Sequence, residues 1–474
     1  MSRTITGMWF RKDLRLVDNT ALIALMKERN VNESVIGIFN INPLQLKKGT
    51  LNHQAFFAAV EEFSQEAEKA GLPIHFIVGE PEKAFETLKK AIPELTKIYF
   101  NRDERGYGKK RDEEMLTFFS GYKIQANHFQ DSHLHGVTEI KKDNGEAFKV
   151  FTPYYNRWKK LRKPLFQKEE FADFGVKGAD FRQLFKEEQK YVSELLAEIP
   201  TELKGEVGLQ RARGYLSRFI DKKVASYEVD RDYPAIKGTS RISRFLRTGE
   251  LSIREVYHRL NESDEGGNSR DTYLKELCWR DFYNMIYAEN PEQQTLEIKE
   301  QYRGLHWNQN QGMLIAWKEG KTGFPIVDAG MRQLNQTGWM HNRLRMIVAS
   351  FLTKDLLTDW RLGEAYFSQQ LVDYDSASNI GGWQWAASTG TDAVPYFRIF
   401  NPTLQGKKFD SDGTFIRFYV PELANVPIAY LHEPQKMPLD IQKQVGCIVG
   451  TDYPEPIVDH QKMRSEILSL FKGQ

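Results

Sequence analysis

The chain has 474 residues, of which 41% are hydrophobic and 27% are charged, so it is long enough for two or three domains with substantial cores. Its net charge of +2 is too small to indicate a nucleic-acid partner, so any DNA contact must come from a local patch. Two cysteines exclude a disulfide framework, and the ten histidines show no paired metal spacing, so we expect no metal.

No stretch approaches the roughly 20 apolar residues that span a bilayer, and the first residues lack the pattern of a secretion signal. We therefore expect a cytoplasmic protein with no membrane partner. We also expect no obligate protein partner and take a monomer as the default.

The first part of the chain alternates strand and helix patterns. Apolar runs predict five strands, at residues 5–10, 34–41, 73–78, 97–100 and 122–129. With helices between them, they predict an α/β domain over residues 1–131, built on a doubly wound, Rossmann-like parallel sheet. No GxGxxG motif follows the first strand, which argues against a standard dinucleotide site there.

The rest of the chain is predicted to be helical. Residues 132–208 are rich in charge and predict an interdomain connector with some helix. Beyond residue 208, helical patterns recur between glycine and proline stops, and strand-like alternation is scarce. Residues 209–474 therefore predict a larger all-α domain that ends in a proline-rich irregular segment and a short helix.

A helix predicted over residues 272–290 has an apolar face and a second, mixed face. The mixed face holds a carboxylate, a guanidinium and three rings, namely Tyr273, Glu276, Trp279, Arg280 and Tyr283. Together they predict a ligand-binding wall. The alternative is a solvated face.

Two shorter segments also carry chemistry. Residues 238–243 form a turn of small residues, hydroxyls and an arginine ahead of a helical pattern, which is typical of phosphate binding; the alternative is a plain N-cap. Trp339, Asn342 and Met346 share one face at helical spacing, with Arg343 and Arg345 beside them. Asparagine can bind a base edge, and arginine can pair with phosphate or carboxylate. A methionine at this spacing is also typical of a core.

Residues 381–392 set two tryptophans among residues that favour neither a long helix nor a core. With the carboxylates and amides of residues 373–379, they suit a planar aromatic cofactor beside a nucleic acid. Trp307, Trp360 and Trp383 lie on separate segments, and each alone is typical of a buried aromatic residue.

These motifs closely resemble the photolyase and cryptochrome family, most nearly its class I cyclobutane pyrimidine dimer photolyases. Residues 9–19 resemble the family's first-strand signature, and residues 323–402 resemble its flavin-domain core. The resemblance implies a light-dependent DNA repair lyase that splits cyclobutane pyrimidine dimers by electron transfer from excited, reduced FAD. It also implies that the dimer is flipped out of the duplex, as photolyases do.

The resemblance implies FAD contacts at Tyr227, Thr239, Ser240, Arg241, Ile242, Ser243, Glu276, Arg280, Asn342, Arg345, Asp373, Asp375 and Asn379. Thr239, Ser240 and Ser243 would hold the phosphates. Arg345 with Asp373 would fix the flavin edge. Asn379 would face the ring nitrogen whose protonation changes with redox state.

Catalytic positions are implied in the same way at Glu276, Asn342, Trp307, Trp360 and Trp383. The first two would hydrogen-bond the pyrimidine edges, and the tryptophans would relay electrons to an oxidised flavin, with Trp383 nearest to it. DNA-binding positions are implied at Arg231, Glu276, Trp279, Arg343, Met346, Trp385 and Arg398. The three arginines would hold phosphates, which positions the duplex without reading its sequence.

Several alternatives stay open. Relatives that repair the (6-4) photoproduct place histidines near positions 342 and 346, whereas Asn342 and Met346 favour the cyclobutane lesion. An antenna of 5,10-methenyltetrahydrofolate, a deazaflavin antenna and an empty pocket all remain, since residues 101–106 match the folate pattern only loosely. Rival functions are a cryptochrome-type blue-light photoreceptor without repair and a light-independent nucleotide- or DNA-binding protein.

Overall fold

The structure is a computed structural model that describes residues 4–30, 32–169, 171, 174, 179–263 and 265–472. Packing divides the chain into two compact units, and neither is one continuous stretch. The first unit combines Met1–Phe148, Pro153–Val224 and Ser240–Glu289, and the second combines Lys149–Thr152, Ala225–Thr239 and Asn290–Gln474. The domain boundaries after residues 131 and 208 stay a prediction.

A five-stranded parallel sheet lies at the centre of the first unit, in the order β3-β2-β1-β4-β5. Its strands are β1 (Thr4–Phe10), β2 (Glu33–Ile41), β3 (Ile74–Val78), β4 (Leu95–Asn101) and β5 (Gln125–Phe129). Successive side chains of a strand point to opposite faces, so Met8 and Phe10 enter one core cluster and Trp9 enters the other. The predicted doubly wound α/β sheet is confirmed.

Helices make up most of the remaining described chain. The first are α1 (Thr20–Glu28), α2 (Leu51–Lys69), α3 (Pro81–Ala91), α4 (Gly106–Gly121), α5 (Phe151–Lys160), α6 (Lys186–Ala197), α7 (Thr201–Lys204), α8 (Leu209–Lys222), α9 (Tyr227–Asp230), α10 (Ser243–Thr248) and α11 (Ile253–Glu262). The others are α12 (Gly267–Glu289), α13 (Gln311–Glu319), α14 (Pro325–Thr337), α15 (Asn342–Ser350), α16 (Trp360–Gln370), α17 (Ser376–Ala387), α18 (Pro402–Phe409), α19 (Thr414–Tyr419), α20 (Ile428–Leu431), α21 (Leu439–Val445) and α22 (His460–Lys472). A π-helix spans Phe351–Asp355, and 3-10 turns lie at Pro43–Gln45, Arg182–Phe185, Val224–Ser226, Pro291–Gln294, Glu300–Tyr302, Pro421–Leu423 and Pro434–Lys436.

The predicted helical second part is confirmed. Among the described residues beyond Phe129, the only β-structure consists of isolated bridges. The proline-rich segment, predicted to be irregular, contains α20, α21 and two 3-10 turns, and the final helix α22 follows it as predicted. None of the helices described is long and apolar enough to cross a membrane.

A buried network of ion pairs joins the sheet to helix α11 within the first unit. Arg254 contacts Asp18 at 2.8 Å and Asp131 at 2.7 Å, and Arg15 contacts Asp131 at 2.6 Å. Burial by itself would raise the pKa of Asp131, but the guanidinium groups of Arg15 and Arg254 hold that pKa well below its usual range. The buried carboxylates of Asp18, after β1, and Asp131, after β5, are therefore both paired with Arg254, which lies far away in the sequence.

Candidate functional site

The residues predicted to bind FAD and DNA form two sets, one within each unit. In the first unit the turn at Ser240–Ser243 leads into α10. Its N-cap residue is Ile242, which makes no side-chain capping hydrogen bond, so the interpretation of the turn as a plain side-chain N-cap is wrong. Arg241 has a φ of 60°, a left-handed conformation that a non-glycine residue seldom adopts.

Tyr273 ties this turn to helix α12. Its hydroxyl donates a hydrogen bond of 2.8 Å to Oγ of Ser240. Burial is the main reason that the pKa of Tyr273 lies well above its usual value, and the carboxylate of Glu276 adds to the effect. The phenol therefore stays protonated and keeps the Ser240 hydroxyl in place.

Helix α12 has the two faces that the sequence predicts, with one difference. Glu276, Trp279 and Arg280 are half-buried on the mixed face, whereas Tyr273 is buried with the apolar residues. Trp279 stacks on Tyr283 with ring centroids 5.4 Å apart. Arg280 donates to backbone carbonyl oxygens of Ser132 and Leu246, at 3.1 and 3.5 Å. This face offers a carboxylate and an aromatic surface, as expected for a ligand wall.

In the second unit, helix α15 begins later than the sequence pattern suggests. Helix α14 ends at Thr337, its C-cap Gly338 has a φ of 65°, and Trp339 follows outside the helix. His341 is buried and is the N-cap of α15, since its Nδ1 accepts the backbone N–H of Arg343 at 3.2 Å. The prediction that Trp339 shares a helical face with Asn342 and Met346 is therefore wrong. Helix α15 therefore begins only at Asn342, after its N-cap His341.

Arg345 and Asp373 form the ion pair that the resemblance implies. Nη2 of Arg345 donates to both carboxylate oxygens of Asp373, at 3.0 and 2.9 Å, and its Nε donates to the carbonyl oxygen of Met340. Asp373 is buried. The pair presents a fixed cation beside a fixed carboxylate, which fits a ligand edge that has both acceptors and a donor.

Asp375 and Asn379 occupy the first turn of α17. The carboxylate of Asp375 accepts the backbone N–H of Ser378 at 2.9 Å and caps the helix. Nδ2 of Asn379 donates to Oε1 of Glu364 at 3.1 Å, and the hydroxyl of Tyr374 donates to the same oxygen at 2.8 Å. No sequence motif marks Glu364 as the partner of Asn379.

The segment with two tryptophans, predicted to favour neither a long helix nor a core, is helical over residues 381–387 but not over residues 388–392. Residues 376–387 form α17, and Trp383, Ala386 and Ala387 are buried in it. Gln384 holds this helix through its side-chain amide, which donates to carbonyl oxygens of Gln293 and Leu296 and accepts the N–H of Ile298 at 3.0 Å. Tertiary contacts thus override the low helix propensity of a segment rich in glycine and serine.

The three tryptophans to which the resemblance assigns an electron relay differ in burial. Trp383 and Trp360 are buried, and Trp307 is only partly buried at a cluster with Tyr302 and Phe471. Trp383 packs on Phe367 and Trp317, with ring centroids 5.0 and 6.0 Å away. No sequence motif marks Trp317 as a neighbour of Trp383. Trp360 donates from its indole nitrogen to Glu297 at 3.2 Å.

Several positions of the second unit that the resemblance assigns to DNA binding are exposed or half-buried. Asn342 and Arg398 are exposed, and Met346 and Trp385 are half-buried. The Arg231 guanidinium lies over the buried ring of Tyr227, 5.3 Å from its centroid. Asn342 therefore offers its amide to a ligand at the surface.

Arg343 has a partner that the sequence did not indicate. Its Nη2 contacts Oδ1 of Asp232 at 2.7 Å, and its guanidinium lies 4.5 Å from the ring centroid of Phe409. Its Nη1 faces the sulfur of Met346. In this structure Arg343 is thus neutralised by a carboxylate.

The donor groups present suit a flavin dinucleotide. Within the first unit, Tyr273 holds the Ser240 hydroxyl in place. Within the second unit, taken by itself, the Arg345–Asp373 pair and the amide of Asn379 are held in fixed positions. Hydroxyls and cations fit phosphates, and a paired cation, carboxylate and amide fit the polar edge of a flavin. No group of three or more metal-ligating side chains occurs among the residues that the structure describes.

Comparison with known proteins agrees with this chemistry. A family model for DNA photolyase matches residues 6–171, and a model for the FAD binding domain of DNA photolyase matches residues 273–473. The deoxyribodipyrimidine photo-lyase of Alkalihalophilus pseudofirmus is 44% identical over 475 residues, covering 100% of this chain and 98% of the relative. That of Escherichia coli is 39% identical, covering 98% of each chain.

Solved structures match over the whole chain as well. A bacterial class III photolyase from Agrobacterium tumefaciens superimposes with a TM-score of 0.90 at 33% identity, covering 100% of this chain and 98% of that one. A cryptochrome from Synechocystis gives a TM-score of 0.83 at 25% identity, covering 99% and 100%. The chain therefore belongs to the DNA photolyase family and is an enzyme of that family. Its helical part contains the FAD-binding domain.

Proposed function

We propose that this enzyme splits cyclobutane pyrimidine dimers in DNA, in a reaction driven by light. The observation that carries the proposal is the full-length similarity to relatives named deoxyribodipyrimidine photo-lyase, at up to 44% identity. Asn342 and Met346 support the cyclobutane lesion rather than the (6-4) photoproduct, as argued from the sequence.

FAD binding is assigned to the positions that match the family. They are Tyr227, Thr239, Ser240, Arg241, Ile242, Ser243, Glu276, Arg280, Asn342, Arg345, Asp373, Asp375 and Asn379. The hydroxyls of Thr239, Ser240 and Ser243 hold the phosphates. The Arg345–Asp373 pair orients the flavin edge, and its bidentate contact supports this role because both partners are held before the ligand arrives.

These residues would hold FAD, which, when fully reduced and excited by blue light, would supply the chemistry, namely the transfer of one electron to the dimer and its return after the ring has split. Glu276 hydrogen-bonds the dimer where negative charge develops, which stabilises the charged state. Asn342 binds a pyrimidine edge through its exposed amide. No net oxidation or reduction of the DNA results.

Trp383, Trp360 and Trp307 serve activation. We assign to them the transfer of electrons to an oxidised flavin, with Trp383 at the inner end. Their burial supports this order, because Trp383 and Trp360 are buried whereas Trp307 is partly exposed and can exchange electrons with a reductant in water.

DNA binding combines phosphate contacts with a site for the flipped dimer. Arg231, Arg343 and Arg398 bind phosphates and position the duplex. Trp279 and Trp385 form the wedge and the wall, and Met346 touches the dimer. Unstacking a base costs only a few kcal/mol and least for a damaged pair, so flipping itself favours the lesion.

The decisive experiment incubates reduced enzyme with a dimer-containing oligonucleotide in blue light and in darkness. Dimer loss in light alone supports repair. Equal loss in both conditions, or none in light with FAD fully bound, contradicts it; the latter outcome would favour a blue-light photoreceptor.

Two companion variants test Glu276. Glu276→Ala should lower the quantum yield of repair about tenfold, the effect of one charge-stabilising hydrogen bond worth ~1.4 kcal/mol, while FAD stays bound. Glu276→Gln keeps a hydrogen-bonding side chain and should lose less. A normal quantum yield in the alanine variant contradicts the role.

For the antenna we propose 5,10-methenyltetrahydrofolate, although a solved archaeal photolyase from Sulfolobus tokodaii, 31% identical, carries two FAD molecules. Absorption and mass spectra of the cofactors released from purified protein decide between them. A second flavin, a deazaflavin or FAD alone would each overturn folate. Sedimentation of the same sample tests the monomer.

A further inference from the structure

The side-chain amide of Asn379 is held in one orientation by Glu364. Nδ2 of Asn379 lies 3.1 Å from Oε1 of Glu364 and 3.4 Å from its backbone carbonyl oxygen. Tyr374 donates its hydroxyl to the same Oε1 at 2.8 Å. The three residues belong to the second unit and are half-buried.

Both groups that face Asn379 can only accept hydrogen bonds. An ionised carboxylate has no donor, and a backbone carbonyl has none either. The amide of asparagine could otherwise turn by 180° and exchange its oxygen and nitrogen. Glu364 therefore requires that the nitrogen of Asn379 point toward it, which leaves the carbonyl oxygen Oδ1 to face any other partner.

The helices that carry the two residues cannot easily shift. Glu364 lies on α16 beside Gly363, where a Cβ atom would come within 2.1 Å of the Trp383 ring on α17. Asn379 lies in the first turn of α17, which the Asp375 side chain caps. Close packing of α16 against α17 fixes the distance between Glu364 and Asn379.

We infer that Glu364 is a positioning residue that selects the reduced form of the cofactor. The inference rests on the proposed function, in which Asn379 faces a flavin ring nitrogen. That nitrogen carries a hydrogen in the fully reduced ring and a lone pair in the oxidised ring. An amide fixed with Oδ1 outward accepts from the reduced ring and offers nothing to the oxidised one. Without Glu364 the amide can turn and bind the oxidised ring equally well.

The test measures the reduction potential of bound FAD in the dark, without DNA, for the wild type and Glu364→Leu. The loss of one hydrogen bond should lower the ratio of the affinity for reduced FAD to that for oxidised FAD about tenfold. This change corresponds to a reduction potential about 30 mV lower for a two-electron couple. Glu364→Gln keeps a side-chain oxygen that accepts from Asn379, so it should restore most of the potential. Glu319→Gln, an exposed carboxylate on α13, is the matched control and should leave the potential unchanged.

The sign of the shift separates positioning from simple charge. Removal of a negative charge near the flavin makes reduction easier and raises the potential, whereas release of the amide lowers it. An unchanged or raised potential in Glu364→Leu overturns the inference. The inference is also overturned if Glu364→Leu lowers the potential by the same amount in a protein that already carries Asn379→Leu. That protein lacks the amide through which Glu364 is inferred to act.

Tyr374→Phe gives a second measurement if the leucine variant does not fold. Loss of the Tyr374 hydroxyl removes one of the hydrogen bonds that hold Glu364. The ratio of affinities for reduced and oxidised FAD should then fall about two- to threefold, less than the tenfold fall expected when the hydrogen bond to Asn379 is lost. No fall overturns the inference. If the wild type does not bind FAD or does not repair dimers, the proposed function is contradicted. If the wild type repairs dimers but the variants leave the reduction potential of FAD unchanged, only this inference is contradicted.

Discussion

Nη2 of Arg343 lies 2.7 Å from Oδ1 of Asp232, so a position assigned to DNA phosphate already has an anionic partner. The side chains are 20% and 38% exposed, which leaves the pair open to competition by phosphate and salt. Under the proposed assignment of Arg343 to DNA phosphate, the phosphate has to displace Asp232, so we expect this carboxylate to weaken binding to every DNA sequence.

We therefore expect Asp232→Asn to tighten DNA binding. A partly exposed pair is worth about 0.5–1 kcal/mol, so affinity should rise two- to fivefold at low salt. Arg343→Ala should weaken binding and reduce the slope of log K on log salt by about 1. Fluorescence anisotropy of a dimer-containing duplex across a salt series measures both, with the exposed Asp440→Asn as control. Equal affinity in Asp232→Asn would show that the pair does not compete with DNA.

Gly363→Ala should damage the packing of α16 on α17. Its Cβ would come within 2.1 Å of the Trp383 ring, which must move or strain. Overpacking of this kind costs about 1–3 kcal/mol, and the displaced ring should slow photoreduction of the flavin. Thermal unfolding and flavin bleaching under light test both effects. The control is Gly214→Ala on α8, where nothing lies within 4 Å, so a gain of about 0.5–1 kcal/mol is expected.

The buried ammonium of Lys354 should make stability depend on pH. Its Nζ donates to the Ala387 carbonyl oxygen at 3.1 Å and to Ser388 Oγ at 2.9 Å. Burial, with help from Lys299, lowers the pKa of Lys354 to about 7. The unfolded chain then binds more protons than the folded one between pH 7 and the usual lysine pKa, so stability rises with pH across that window.

The variant Lys354→Met removes this titration. Relative to it, the wild type should gain about 1 kcal/mol or more in free energy of unfolding between pH 7 and pH 9. Urea unfolding of both proteins at each pH measures the difference, and Lys443→Met, at an exposed lysine, should behave like the wild type. A constant difference between wild type and Lys354→Met would show that the lysine stays charged in the fold.

Substitution of Trp383, Trp360 or Trp307 by phenylalanine should separate activation from repair. Each variant should reduce an oxidised flavin more slowly in light, because phenylalanine is much harder to oxidise than tryptophan. Repair by chemically reduced enzyme should stay within about twofold of the wild type. Transient absorption and the oligonucleotide assay follow the two processes. A parallel loss in both assays would place the ring in the repair site instead.

The elements that sequence predicted well are those whose pattern is local. The five strands are confirmed within a few residues, because continuous apolar runs bounded by helical patterns are typical of a buried parallel sheet. The two faces of α12 also follow from spacing alone.

The features that sequence missed depend on contacts between distant residues. Helix α17 forms in a segment of low propensity because the buried Gln384 side chain binds the backbone near Gln293 and Asp375 caps its start. Asp232 is 111 positions from Arg343, and no motif connects them. Glu364 contacts Asn379 from another helix, and no sequence pattern connects the two residues.

Arg254 lies 236 positions from Asp18, the carboxylate that it neutralises beside the sheet. A fragment that stops before this arginine would retain Asp18 and Asp131 in a dry interior with one of their two cations missing. An uncompensated buried charge costs several kcal/mol, much of the net stability of a whole domain. We therefore expect the Rossmann-like part not to fold when it is expressed alone, and we expect chimaeras that exchange this part between relatives to need a crossover beyond α11.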